Sequence, residues 1–238
     1  MKTRLFLAFS LTFALAAPAG ALNVTLFNVD TAGIDAGSFS WSMQFDSNLG
    51  MNIVEIHETW LSNDYTFLQF DDMELRHDYL IRKHVFNDSG IDWASFNHEL
   101  LDPAGQTEDF LDKPIPDFVP TGYSTSNTID GLSFSEPSNI ARTSEHFSDV
   151  LLDISTDQRD WIEFYDGLVK HMGTTEERSD VMTFGLHDTG SSENQAFLLA
   201  QRANVNVNVT PPAIPEPATL LLVGGGLLGG VLVRRRTS

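Results

Sequence analysis

Cysteine is absent from all 238 residues. Disulfides, a lipid-bearing cysteine, a thiol nucleophile and cysteine-ligated zinc or iron–sulfur centres are therefore excluded together. A disulfide-free chain must hold itself by core burial, and one domain of roughly 190 residues buries enough surface to do so. Basic residues are scarce as well: 14 Lys and Arg stand against 33 Asp and Glu, for a formal net charge of −19. That balance disfavours nucleic acid, which needs Lys and Arg to displace phosphate counterions. It equally opposes anionic lipid headgroups and favours solubility, divalent cations or basic partners. The pronounced apolar runs lie at the two ends, and both are short.

Near the C-terminus, Pro215-Glu216-Pro217 is followed by 16 uncharged residues, 218–233, and then by Arg234, Arg235 and Arg236. As a helix rising about 1.5 Å per residue, this run spans roughly 24 Å, less than the ~30 Å hydrocarbon core. Gly224, Gly225, Gly226, Gly229 and Gly230 weaken it further. The run therefore reads as a single short, marginal transmembrane helix. Three arginines directly after it hold that end in the cytoplasm. The Gly225/Gly229 and Gly226/Gly230 spacings permit close helix packing, for instance against a processing enzyme. On this chemistry alone, a permanent anchor remains an alternative. The order of triplet, short span and arginines resembles the PEP-CTERM sorting signal of Gram-negative bacteria, which exosortase-type membrane peptidases recognise. The resemblance implies transient anchoring and processing near Pro215-Glu216-Pro217. The preceding Thr210-Pro211-Pro212-Ala213-Ile214 is expected to form a stiff extended stalk that keeps this region accessible.

The N-terminus agrees. Lys2 and Arg4 form a basic n-region, residues 5–16 an apolar h-region, and Ala19-Gly20-Ala21 fits the small-x-small rule of signal peptidase. Residues 1–21 are thus expected to be a signal peptide, with signal peptidase and the general secretion machinery as partners. Residues 22–209 then form the exported domain, and 210–238 the stalk and sorting signal. Removing both signals leaves nine Lys and Arg against 33 Asp and Glu, a charge of −24 on the exported part.

Within that body, short apolar runs alternate with turn residues. Residues 22–30, 38–45, 52–61, 65–70, 79–86, 91–101, 183–187 and 196–209 read as strands. Phe39, Trp41, Met43 and Phe45 recur with period two, the pattern of a half-buried strand. Asn87-Asp88-Ser89-Gly90 is a strong turn cluster. The expected fold is all-β, a single antiparallel β-sandwich. Residues 102–135, with Pro103, Pro114, Pro116 and Pro120, read as a long irregular surface excursion. Residues 161–172 fit either an amphipathic helix capped by Ser155 or Thr156, or a strand–turn–strand with Gly167 at the turn. The stretch RKHVFNDSGIDWASFNHELLD, residues 82–102, with WIEFYDGLV and TFGLHDTGSSENQAFLLAQR, resembles a hairpin pattern in exported PEP-CTERM β-sandwich proteins. This resemblance implies architecture and destination, not chemistry.

No catalytic constellation stands out. His57, His77, His84, His98, His146, His171 and His187 are scattered. His98-Glu99 is followed at the second zinc-ligand position by Asp102; on a strand, residues four apart lie about 13 Å from each other and cannot grip one ion. There is no Gly-x-Ser-x-Gly, and 33 carboxylates guarantee accidental acidic pairs. The chain is therefore expected to be non-enzymatic, with a surface hydrolase the third reading. No cofactor is expected. Calcium is conceivable at Asp30 and Asp35, at Asn87, Asp88 and Asp92, or at Asp153, Asp157 and Asp160, though none matches EF-hand spacing and turn chemistry explains the same residues. Trp41, Trp60, Trp93 and Trp161 would serve as a sugar-stacking platform if exposed, or as core if buried. The leading expectation is an exported surface or matrix structural protein, in a biofilm setting implied by the sorting resemblance. Its alternative is an exopolysaccharide-binding module.

Overall fold

The computed structural model describes residues 22–27, 33–73, 77–103, 116–126, 132–134, 140–154, 159–188 and 196–205. Their strands, in chain order, are β1 (Asn23–Phe27), β2 (Ser40–Asp46), β3 (Met51–Trp60), β4 (Thr66–Asp71), β5 (Asp78–Asn87) and β6 (Trp93–Pro103). They continue with β7 (Tyr123–Thr125), β8 (Leu132–Ser133), β9 (Phe147–Ile154), β10 (Asp160–Gly167), β11 (Ser179–Asp188) and β12 (Phe197–Val205). One helical turn, α1 (Thr175–Arg178), is closed by a capping box between Thr174 and Glu177. None of these elements is a helix long and apolar enough to cross a membrane, and the expected C-terminal span lies outside the described residues.

The strands form two sheets. Sheet A has the order β1-β4-β12-β6-β10-β9, with β7 added to β6; sheet B has the order β2-β3-β5-β11-β8. The core lies between them. Period-two alternation aims Leu68 and Phe70, Phe96 and Leu100, Ile162 and Phe164, and Phe197 and Leu199 of sheet A inward. Val54, Ile56 and Trp60, Tyr79, Ile81 and Val85, and Met182, Phe184 and Leu186 of sheet B meet them in one buried cluster. Trp60, Trp93 and Phe96 pack edge to face, with centroids 5.0–5.9 Å apart.

The mostly β, two-sheet architecture agrees with the expected sandwich, with one correction. β3 and β5 run parallel, from Asn52↔Tyr79 to Trp60↔Asn87. The strand between them in sequence, β4, is spent in sheet A against β1 and β12. A chain that leaves sheet B after β3 and returns through sheet A re-enters sheet B in its original direction.

Three local expectations also change. The stripe on β2 is only half buried: Phe39 and Trp41 pack on the core, but Met43 and Phe45 are 37% and 66% exposed. β2 is an edge strand of sheet B. Residues 161–172 are neither helix nor hairpin; β10 continues to Gly167 against β9, with Ile162 and Phe164 inward. Ser155 and Thr156 lie outside the described residues. The 102–135 excursion contains β7 and β8, and it delivers Leu132 and Phe134 to the core.

Gly167 is there for a close approach. A Cβ on it would stand 1.9 Å from the His146 carbonyl oxygen and 2.8 Å from the Phe147 Cα. Gly167→Ala is accordingly expected to push β9 off β10 and lower stability by about 1–3 kcal/mol, read from urea unfolding.

Candidate functional sites

Two polar groupings are built by sheet A, one on each face of the same strands. On the outer face, the ladder sets Trp161, Glu99 and Ala200 in one row, with Glu163, Asn97 and Arg202 in the next. Trp161, Glu99, Ala200, Glu163 and Asn97, together with Tyr65 and Arg159, line a pocket of about 210 Å³. The small methyl of Ala200 leaves the room. Tyr65 is stacked on Phe118, centroids 4.1 Å apart, and the Arg202 guanidinium stands 5.1 Å from the Tyr65 ring centroid. Arg159 donates through Nε and Nη2 to the two oxygens of Glu99, at 2.6 and 2.5 Å. Burial pushes the Glu99 carboxyl above its ordinary value, and the Arg159 fork opposes the rise. Glu163 accepts from Ser95 Oγ at 2.5 Å. The Asn97 side-chain oxygen is buried with no hydrogen-bond partner among the described residues.

On the inner face, four polar side chains sit in the core. Glu58 and Lys83 come from sheet B, His98 and Gln201 from sheet A, and all are buried. Glu58 Oε2 accepts from Trp60 Nε1 at 2.9 Å and lies 2.8 Å from Lys83 Nζ; Glu58 Oε1 accepts from Gln201 Nε2 at 2.7 Å. Lys83 Nζ also stands 4.4 Å over the Phe96 ring and 5.3 Å from that of Trp60. Burial lowers the Lys83 pKa from 10.5 to about 8, against the pull of Glu58 and Asp180. His98 packs among Phe96, Phe164 and Phe184, and neither ring nitrogen has a hydrogen-bond partner among the described residues.

Burial first, and the Lys83 charge second, hold the His98 pKa well below 6.5. A group whose folded pKa is depressed binds its proton more readily in the unfolded chain. Stability is therefore expected to fall as pH drops below about 6.5. His98→Phe should flatten that acid limb, measured by urea unfolding over a pH series.

The histidine–carboxylate pairs rejected as zinc ligands, and the calcium candidates, are dispersed or already engaged. His98 and Glu99 point to opposite faces of β6, as do His57 and Glu58 on β3. Asp35 accepts the Gly37 amide, Asn87 the Ser89 amide and hydroxyl, and Asp92 the His171 amide and Nδ1. Asp88 pairs with Arg178, and Asp160 accepts the Phe134 amide. Asp30 and Asp157, with the side chain of Asp153, lie outside what is described. Glu145, His146 and Asp180 do converge within 4.8 Å. Asp180 spends its oxygens on Ser144 Oγ and the amides of Glu145 and His146, clasping that loop onto β11. Trp60 and Trp93 are core, Trp41 is partly buried against it, and Trp161 reaches the outer pocket. Sequence reasoning missed the inner cluster, whose members look like ordinary polar positions on alternating strands. It also missed the His57–His84 stack, 4.3 Å between ring centroids, on sheet B.

Ala19, Ala21, Pro215, Glu216, Pro217, Arg234, Arg235 and Arg236 lie outside the described residues. The two-sheet β body thus lies between two terminal segments that are read from the sequence alone. Residues 213–236 match the PEP-CTERM protein-sorting motif. That motif implies an exported, membrane-anchored and then processed protein whose processing partner is an exosortase-type peptidase. No curated protein and no solved structure matches the chain.

Proposed function

We propose that this is a non-enzymatic structural protein of the cell surface or extracellular matrix, delivered by its sorting motif and processed near Pro215-Glu216-Pro217. The match at residues 213–236 carries the reading. The body is consistent with it, because the two pocket carboxylates are already committed to Arg159 and Ser95 rather than held ready for acid–base work. Intact mass and C-terminal peptide mapping of protein recovered from membrane and medium test it. Loss of residues 218–238 from the released form is expected. Released protein that still ends in Arg236-Thr237-Ser238 overturns it.

A second reading, exopolysaccharide binding, is favoured by one observation. Trp161 stands beside Glu99, Glu163 and the Asn97 amide oxygen, which has no hydrogen-bond partner among the described residues, in a pocket that also contains Tyr65. Aromatic faces with nearby carboxylates and amides suit the alternating apolar and hydroxyl surfaces of a sugar. Trp161→Ala is expected to weaken retention of the protein in gels containing the producing cell's own exopolysaccharide by about tenfold. Equal retention of variant and wild type would show that sugar does not bind in this pocket.

A further inference from the structure

The Glu58 carboxylate touches two nitrogens of opposite chemical character. One is the amine of Lys83, 2.8 Å from Oε2; the other is the side-chain amide nitrogen of Gln201, 2.7 Å from Oε1. The amine contact is a buried ion pair, so the carboxylate is placed to take its proton. All three side chains are buried, and the aromatic rings of Trp60 and Phe96 wall the amine. A nucleophile, a proton carrier and an amide with a leaving nitrogen are thus assembled in a site that excludes bulk water.

We infer that Lys83 and Gln201 join covalently, forming an amide cross-link between the two sheets with Glu58 as the catalytic proton carrier. Glu58 takes a proton from the Lys83 ammonium, and the neutral amine attacks Gln201 Cδ. The Nζ–Cδ bond forms and the Cδ–Nε2 bond breaks. Glu58 hands this proton, and then the second one that Nζ sheds, to the departing nitrogen, which leaves as ammonium while the carboxylate is restored. Nothing is oxidised or reduced, and no co-reactant is needed.

Each step has its counterpart in the geometry. One carboxylate oxygen faces the attacking nitrogen and the other faces the leaving nitrogen, so the proton crosses a single carboxyl group. Burial lowers the Lys83 pKa to about 8, which eases formation of the free amine. His98 lies directly opposite Gln201 in the ladder, with ring nitrogens that have no hydrogen-bond partner among the described residues. The Gln201 side-chain oxygen likewise has no hydrogen-bond partner among the described residues. The linked residues belong to β5 of sheet B and β12 of sheet A, so the bond would fasten the sandwich across its core in a chain that has no cysteine.

Peptide mapping by mass spectrometry of the full chain, purified in folded form, tests for the bond directly. The expected product is a branched peptide carrying Lys83 and Gln201, lighter than the sum of its two arms by one ammonia, about 17 Da. Recovery of linear peptides with a free Lys83 amine and an intact Gln201 carboxamide overturns the inference. So does a 17-Da loss that maps to a succinimide at an asparagine. Glu58→Gln and Lys83→Met should each yield only linear peptides. Either variant can fail to fold, but the wild-type map by itself separates the linked from the unlinked chain.

Discussion

Glu58→Ala is expected to lower the unfolding free energy by about 3–5 kcal/mol, among the largest effects of any single change in this chain. The cost is not that of a lost surface ion pair. Glu58 is the acceptor for Trp60 Nε1 and Gln201 Nε2 and the counter-charge of Lys83, all within the core. Truncation strands a cation and two donors where water cannot reach them. Lys83→Met should also destabilise, because it leaves the carboxylate unpaired. The double variant Glu58→Leu/Lys83→Met should recover most of the loss, since neither charge then remains buried. Urea unfolding of the two singles and the double measures this coupling; purely additive losses would show that the pair is not what holds the site. The pH dependence follows from the same burial. With Lys83 depressed to about 8 in the folded chain against an ordinary 10.5, the unfolded chain binds more protons between those values. Stability of the unlinked protein is therefore expected to rise with pH across that window. Molecules that carry the Lys83–Gln201 amide have no amine to titrate and should lack the rise.

The second large effect is on sorting rather than folding. Replacing Arg234, Arg235 and Arg236 with serine is expected to abolish processing, leaving full-length protein or protein that slips through the membrane. Each arginine resists entry into the bilayer by roughly 2.5–3.5 kcal/mol, and the glycine-rich span has little apolar surplus of its own. Replacing Pro215, Glu216 and Pro217 with alanine should likewise retain residues 218–238, by removing the feature that marks the processing region. C-terminal mapping of membrane and medium fractions reads both variants. Normal release of the arginine variant would show that the basic end has no part in processing.

How much of this was legible in the chain depends on the range over which each feature is encoded. The sorting motif is linear, so its residues announce it without any fold. Strands such as β3, β5 and β6 were legible because one face is continuously buried, leaving an alternation of apolar and polar residues. β9 was not, since an edge strand has less to bury: Leu151 faces solvent while Phe147, Val150 and Leu152 turn toward the core. β10 misled for a different reason, because Trp161 and Tyr165 on its outer face combine with inner Ile162 to mimic helical spacing. The parallel β3–β5 pair is a matter of which sheet takes β4, which no local pattern records. The inner cluster is the least legible. Gln201 and Glu58 are 143 residues apart, and each reads as an ordinary polar residue until the two sheets close. The outer pocket was half legible: Trp161 and the carboxylates were visible as types, but their shared row depends on ladder register.

The position of β12 has a mechanical consequence. It is the strand from which the chain runs on toward the sorting motif, and it lies inside sheet A, between β4 and β6. Its hydrogen bonds run across the strand to neighbours on both sides. A pull on the C-terminal tether along β12 therefore loads both ladders in shear, with many bonds resisting together. An edge strand such as β1, bonded on one side, would peel bond by bond. While the protein is held at the membrane by its tail, drag on the body enters through one of its most firmly gripped strands.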